Sequence, residues 1–197
     1  MHVYVIFAHP SKQSFTWEVL VAFTRGLQDA GHSFEIGDLY EMGFQSDMDV
    51  VQYAREMGPD PNAPVPEDVR LEQAKIERAD ARALVYPVWW NDCPAKLKGW
   101  FDRVLTLGYA YFYEGGEHRM SKIHVQKALV LCPASRPVEH LEEIGIAESM
   151  RRVMLNDRLL GVGVKEARME ILGGMVTKDE AIRCQNLEQA YQLGREF

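Results

Sequence analysis

Cysteine is scarce in this chain. Cys93, Cys132 and Cys184 are odd in number and far apart. No C-x-x-C pair occurs, which excludes the common zinc-ribbon and dithiol redox motifs. The pattern suits a reducing, cytoplasmic compartment. Long apolar runs are also missing. The first breaks at His9-Pro10 and has no basic region before it. No stretch approaches the ~18 apolar residues of a membrane span, and no signal-peptide pattern is expected.

Positive charge is in deficit. Lys and Arg number 22 against 29 Asp and Glu, a formal net charge of −7. That balance lacks the basic footprint of a nucleic-acid binder or of a protein held on an anionic membrane. An anionic ligand would have to be held by local N–H groups instead. G-x-G-x-x-G, the P-loop pattern and H-E-x-x-H are absent, as is the G-x-S-x-G nucleophile elbow. No metal site is therefore expected, and a hydrolase has no motif to rest on. There is no repeat and no low-complexity tract.

What is present is ordinary globular composition, 47% hydrophobic and 26% charged over 197 residues. Such a chain can bury a full core as one domain, residues 1–197. VYVIFA (residues 3–8), ALVYPVW (83–89) and KALVLC (127–132) are short apolar runs of the kind buried on both faces of a sheet. Residues 33–36 and 167–172 add two more strands. Helical periodicity covers 14–30, 67–79, the stretch after Pro94, 139–155 and 177–195. Ser14 is the expected N-cap and Gly31 the expected C′ residue of the first helix. Thr177-x-x-Glu180 has the capping-box pattern for the last. GPDPNAPVP (58–66) holds four of the nine prolines, so an extended surface loop is expected.

Strands alternating with helices predict an α/β flavodoxin-like three-layer sandwich with a five-stranded parallel sheet in order 2-1-3-4-5. Ligands in such sheets sit beyond the carboxyl ends of the strands. That points to residues 9–14, 87–93 and 132–138. The first loop, AHPSKQSF, leads into a helix N-terminus, where unpaired N–H groups suit a phosphate. Its spacing leaves two readings open: an anion cradle with His9 and Ser14, or a plain cap and a turn histidine. In the second loop Trp89 and Trp90 are adjacent at a strand end, so a regular strand cannot send both into the core. Either one lines a cleft and stacks on a planar ring, or one packs in the core and the other under a loop. In the third, Cys132 reads as a buried thiol, and His140 as either a proton donor or a surface residue.

AHPSKQSF, DLY (38–40) and YPVWW…PAKLKGWFDRV together resemble the NAD(P)H:quinone oxidoreductase family of flavodoxin-like proteins, over residues 3 to about 172. The resemblance implies a cytoplasmic homodimer that binds FAD or FMN. It implies hydride transfer from NAD(P)H to a quinone or a related flat aromatic acceptor, by a ping-pong mechanism. It places His9, Ser14, Phe15 and Thr16 at the flavin phosphate end, and Pro87, Val88, Trp89, Trp90 and Asn91 along the ring. Relatives often carry asparagine at the Thr16 position and glutamine at the Trp89 position. Where many have a glycine-rich stretch after the fourth strand, this chain has Cys132-Pro133-Ala134-Ser135-Arg136-Pro137. Proline there donates no N–H. The tyrosine and histidine of animal quinone reductases fall near Leu141 and Ala147, leaving His140 and Tyr109 as catalytic candidates. The altered loop also motivates an alternative: a flavodoxin-like binding or regulatory subunit with little or no flavin turnover.

Overall fold

The computed structural model describes residues 1–114 and 118–197. Five strands form one parallel sheet: β1 (His2–Phe7), β2 (Ser33–Asp38), β3 (Ala81–Val85), β6 (Lys127–Pro133) and β7 (Glu166–Leu172). They lie in the order β2-β1-β3-β6-β7. This is the expected 2-1-3-4-5 topology with an antiparallel hairpin, β4 (Phe112–Glu114) and β5 (His118–Met120), inserted between the third and fourth sheet strands. The hairpin falls within the Tyr-rich excursion at 108–122, of which residues 115–117 lie outside the described ones.

The three central strands are buried almost throughout, as continuous apolar runs require when helices cover both faces. Side chains alternate across the sheet. Val3, Val5 and Phe7 face α1 (Phe15–Asp29) and α7 (Glu180–Arg195). Tyr4, Ile6, Leu84 and Val130 face the opposite layer, built on α3 (Glu67–Arg78) and α4 (Ala95–Val104). That layer holds a buried polar knot. Glu72 accepts from the Tyr4 hydroxyl, from Trp100 Nε1 at 2.7 Å and from Lys75 Nζ at 2.7 Å. A buried carboxylate is tolerable only with such partners.

Two local expectations need correction. The stretch 139–155 is not one helix. It breaks into α5 (Val138–Glu143), α6 (Ile146–Arg151) and a π-helical turn, Arg152–Asp157. Gly145 lies between the first two in the left-handed region at φ 74°, which ends the first helix. The capping box at Thr177 does not form. Asp179 is the N-cap of α7, its carboxylate accepting from the Ala181 N–H at 2.8 Å, and Thr177 closes a 3-10 turn instead. A further short helix, α2 (Val50–Glu56), was not foreseen. Its Arg55 donates to the carbonyls of Pro61, Ala63 and Leu107, fastening the proline-rich loop.

Helices α1 and α7 cross at Gly26 and Gly194. A Cβ on Gly26 would strike the Tyr191 carbonyl oxygen, and one on Gly194 the Phe23 carbonyl oxygen. Gly26→Ala should therefore destabilise the protein by ~2 kcal/mol or more, despite alanine's better helix propensity, because the backbones must separate. Urea unfolding of the two proteins measures this. An unchanged midpoint would mean the crossing can relax.

Candidate functional site

The loops after β1, β3 and β6 open on one edge of the sheet. The β1 loop carries His9 to Ser14. Ser11 N–H donates to His9 Nδ1 at 3.0 Å, and the Ser11 carbonyl lies 3.1 Å from the same atom. The neutral ring thus accepts one Ser11 bond and carries its proton on Nε2. A charged ring could donate to the carbonyl. Burial lowers the His9 pKa from 6.5, against the carbonyl bond, which raises it. Ser14 caps α1. Its hydroxyl donates to the Ser11 carbonyl at 2.7 Å and accepts from Trp17 N–H at 3.2 Å. The Phe15 and Thr16 N–H groups find no partner among the described residues. They are the orphan donors that make a helix start an anion cradle. The side chains behave differently. Phe15 lies under the Arg183 guanidinium, 5.2 Å from ring centroid to Cζ, and Thr16 is buried. Only their backbones face a ligand in this cradle.

The β3 loop departs from a regular strand at Trp89. Trp89 and Asp92 exchange backbone hydrogen bonds at 3.0 and 3.1 Å. Between them Trp90 and Asn91 lie at φ 51° and 64°. Two successive positive φ angles define a primed turn of the kind that closes hairpins. Left-handed φ is an outlier for a residue as bulky as tryptophan. The result is that neither indole enters the core: Trp89 is 42% and Trp90 100% exposed. Trp89 rests edge-on against His9, with centroids 5.8 Å apart. This overturns the reading in which one tryptophan packs inside. The N–H groups of Trp90 and Asn91 have no partner among the described residues. Pro87 and Val88 sit below the turn, and Val88 N–H donates to the Pro133 carbonyl at 2.8 Å.

Asp92 fixes this turn. Its carboxylate accepts from Cys93 N–H at 2.7 Å and from both terminal nitrogens of Arg158, at 3.0 and 3.2 Å. Arg158 follows the π-helical turn and lies over the Phe101 ring of α4. Burial opposes ionisation of Asp92, but Arg158 and the Cys93 N–H outweigh it and hold the pKa below 3.8. Cys93, beneath the pair, is pushed up to about 12 by burial and by Asp92. Cys132 is fully buried and its thiol is pushed up by desolvation. Both are protonated and inert at neutral pH.

A cavity of about 240 Å³ lies between the β3 and β6 loops. Val88, Trp90, Asn91, Ser135, Arg136 and Leu141 are among its walls. The β6 loop is stitched to the end of β7 and the segment after it by Ala134 N–H to the Leu172 carbonyl and Val176 N–H to the Ser135 carbonyl, each at 3.0 Å. Pro133 ends β6, and its carbonyl is taken by the Val88 N–H. His140 stands beside it, on α5, and accepts from Arg136 Nη1 at 3.2 Å. The structure does not bring Tyr109 to this edge. Tyr109 is buried among the α3 contacts with its hydroxyl on the Gln73 carbonyl, and desolvation raises its pKa. Leu141 and Ala147 are core residues. Among the described residues no cluster of His, Cys, Asp or Glu could hold a metal ion, and no helix is long and apolar enough to cross a membrane.

Comparison with known proteins bears on this arrangement. Residues 1–193 match the family described as having a flavodoxin-like fold. The chain belongs to that flavodoxin-like family. It is 32% identical over 193 residues to an uncharacterized NAD(P)H oxidoreductase of Haemophilus influenzae, spanning 98% of this chain and 93% of that protein. A solved NAD(P)H:quinone oxidoreductase from Methanothermobacter marburgensis is 57% identical, with TM-score 0.93 over 100% of this chain and 95% of that one. The guinea pig NAD(P)H dehydrogenase [quinone] 1 is 34% identical over 122 residues, covering 55% of this chain and 44% of that protein. The family resemblance read from AHPSKQSF and the KGWFDRV helix is thereby borne out. The Asp92–Arg158 pair and the exposed Arg136 were not found in the sequence, because neither carries a local motif.

A pH dependence follows from Asp92. An acid whose folded pKa is depressed contributes stability above its unfolded value and loses it as pH falls through the folded one. Wild type should therefore exceed Asp92→Asn in stability at neutral pH, and the difference should fade as pH drops below 3.8. Denaturant titrations at both pH values measure it. Equal stability at neutral pH would show that the pair does not hold the turn.

Proposed function

We propose that this flavodoxin-like protein is a flavin-dependent NAD(P)H:quinone oxidoreductase that reduces quinones or related flat aromatic acceptors by two electrons, with the two substrates using one cleft in turn. The observation that carries the proposal is the placement of two sets of unpartnered N–H groups on one edge of the sheet. Those of Phe15 and Thr16 lie at the start of α1, and those of Trp90 and Asn91 at the tip of the β3 turn. A cradle for an anion and a cleft for a ring on the same edge suit a flavin, as FAD or FMN.

The residues present fit such a group. His9 Nε2–H, the Ser14-capped turn and the Phe15 and Thr16 N–H groups would hold the phosphate end. Pro87, Val88 and Trp89 would form the floor, and Trp90 and Asn91 would donate backbone hydrogen bonds to ring heteroatoms. A bound flavin would supply the redox chemistry, taking hydride from NAD(P)H and giving it to the acceptor. The chain's part is to hold that ring, keep one face open and exclude water beneath it with Val88 and Leu141. Of the two proton-donor candidates only His140 stands beside the cleft, but its Nε2 already accepts from Arg136 Nη1, so we assign it no proton-donor role there. Tyr109 has none either.

The cavity is smaller than the ~300–1,000 Å³ usual for a ligand site. A second copy of the chain would supply the missing wall, so we propose a homodimer. Val50, Val51, Tyr53 and Met57 leave an apolar face of α2 exposed, as an interface would. Free thiols suit a cytoplasmic setting. The alternative, a binding subunit with little turnover, rested on the altered loop at residues 132–137, whose proline donates no N–H. The unpartnered N–H groups of Trp90 and Asn91 offer donors from the β3 turn instead and favour the enzyme reading.

Freshly purified protein is expected to run as a dimer, to show flavin absorbance bands, to bleach with NAD(P)H and to recolour with menadione. Protein that has no bands and gains none with FAD or FMN would overturn the assignment. His9→Ala should raise the flavin dissociation constant roughly tenfold, the worth of one charge-assisted hydrogen bond. Fluorescence titration of the apo protein with flavin reads this, and an unchanged constant would make His9 a turn residue only.

A further inference from the structure

Arg136 stands on the lip of the cleft, and its surroundings are unusual for this chain. Most exposed arginines among the described residues are paired with carboxylates: Arg70 with Glu67, Arg78 with Glu35, Arg152 with Glu148 and Arg168 with Glu170. Among the described residues no carboxylate pairs with Arg136. Its one side-chain partner is the His140 ring. A guanidinium can only donate, so His140 Nε2 accepts in this contact. Nearby acids are turned elsewhere. Glu142 binds Arg151 at 2.6 Å, and Glu143 lies 4.0 Å from the far side of the His140 ring. In a chain of net charge −7, a cation left unneutralised at a cavity mouth has work to do on a ligand.

The backbone that carries Arg136 is rigid. Its carbonyl accepts from Gly174 N–H at 3.0 Å, and the neighbouring Ser135 carbonyl accepts from Val176 N–H at 3.0 Å. Pro137 follows and restricts Arg136 to extended backbone. The side chain therefore leaves from a fixed point, lining the same cavity as Trp90 and Asn91. A guanidinium without a carboxylate partner, beside an exposed indole, suits a flat ring that bears an anion.

We propose that Arg136 makes the cleft selective for ligands that carry an anionic group beside the ring or on the dinucleotide: a sulfonate or carboxylate on the acceptor, or the 2′-phosphate of NADPH. This rests on the oxidoreductase reading for its ligands but not for its binding test. Arg136 is here a specificity residue, acting through charge and not through the reacting atoms.

The experiment compares wild type with Arg136→Gln and Arg136→Lys. The first arm measures kcat/KM for 1,2-naphthoquinone-4-sulfonate relative to menadione, with NADH as donor. The second measures NADPH relative to NADH, with menadione as acceptor. Arg136→Gln should lower one of these ratios about tenfold, and Arg136→Lys should restore most of it. Added salt should lower the same ratio in wild type. A fall in the first ratio assigns the anion to the acceptor, and a fall in the second assigns it to the dinucleotide. A third arm needs no turnover. Quenching of tryptophan emission by 1-naphthalenesulfonate should weaken about tenfold in Arg136→Gln, while quenching by neutral naphthalenemethanol should not follow it. If the ratios and the quenching are the same in all three proteins, the proposal is overturned. If wild type reduces no quinone but the quenching still depends on Arg136, the catalytic reading fails and the anion site stands.

Discussion

The ion pair between Asp92 and Arg158 is the contact on which the site depends. It joins residues 66 apart in sequence and ties the turn after β3 to the segment after the π-helical turn. Two non-glycine residues at positive φ cost about 1–2 kcal/mol each. Something must hold them. The Trp89–Asp92 backbone pair closes the turn, the Asp92 carboxylate accepts from the Cys93 N–H that follows it, and Arg158 anchors that carboxylate. Arg158 is itself pinned against the Phe101 ring. The indole of Trp90 is thereby presented to solvent by elements that do not themselves move with solvent.

The sheet beneath supplies the fixed frame. β1, β3 and β6 are covered on both faces, so their carboxyl ends arrive in register. The bond from Val88 N–H to the Pro133 carbonyl then links two of the three site loops directly. The same proline that seemed to deprive the β6 loop of a donor contributes an acceptor instead. Its neighbour Ala134 continues the ladder to β7, and only Ser135 and Arg136 project past it.

The strands, the order of the sheet and the Ser14 cap were legible because each is written in local pattern: apolar runs, helical period and a short polar residue before a helix. The flavin-type loops were legible through AHPSKQSF and KGWFDRV. The rest was decided by contacts distant in sequence. The apolar spacing of Leu141, Ala147, Met150 and Met154 suited one helix, and Gly145 divided it. Helix α2 shows Val50 and Val51 outward, so it offered no buried stripe to detect. Thr177 matched a capping box, but Asp179 stood closer to the helix start. Tyr109 sat in an aromatic segment that the fold carried to the α3 contacts. Trp-Asn is not a common turn dipeptide, and the partner that makes it one, Arg158, lies far along the chain.

The Trp90–Asn91 turn also sets limits on how the protein can drift. Glycine at either position would relax the backbone and cost nothing in the core, because neither side chain is buried there. Stability alone would therefore favour losing the indole. The chain carries the ring at a cost in backbone strain. Positions of this kind are where gains in robustness and losses in activity come from the same substitution.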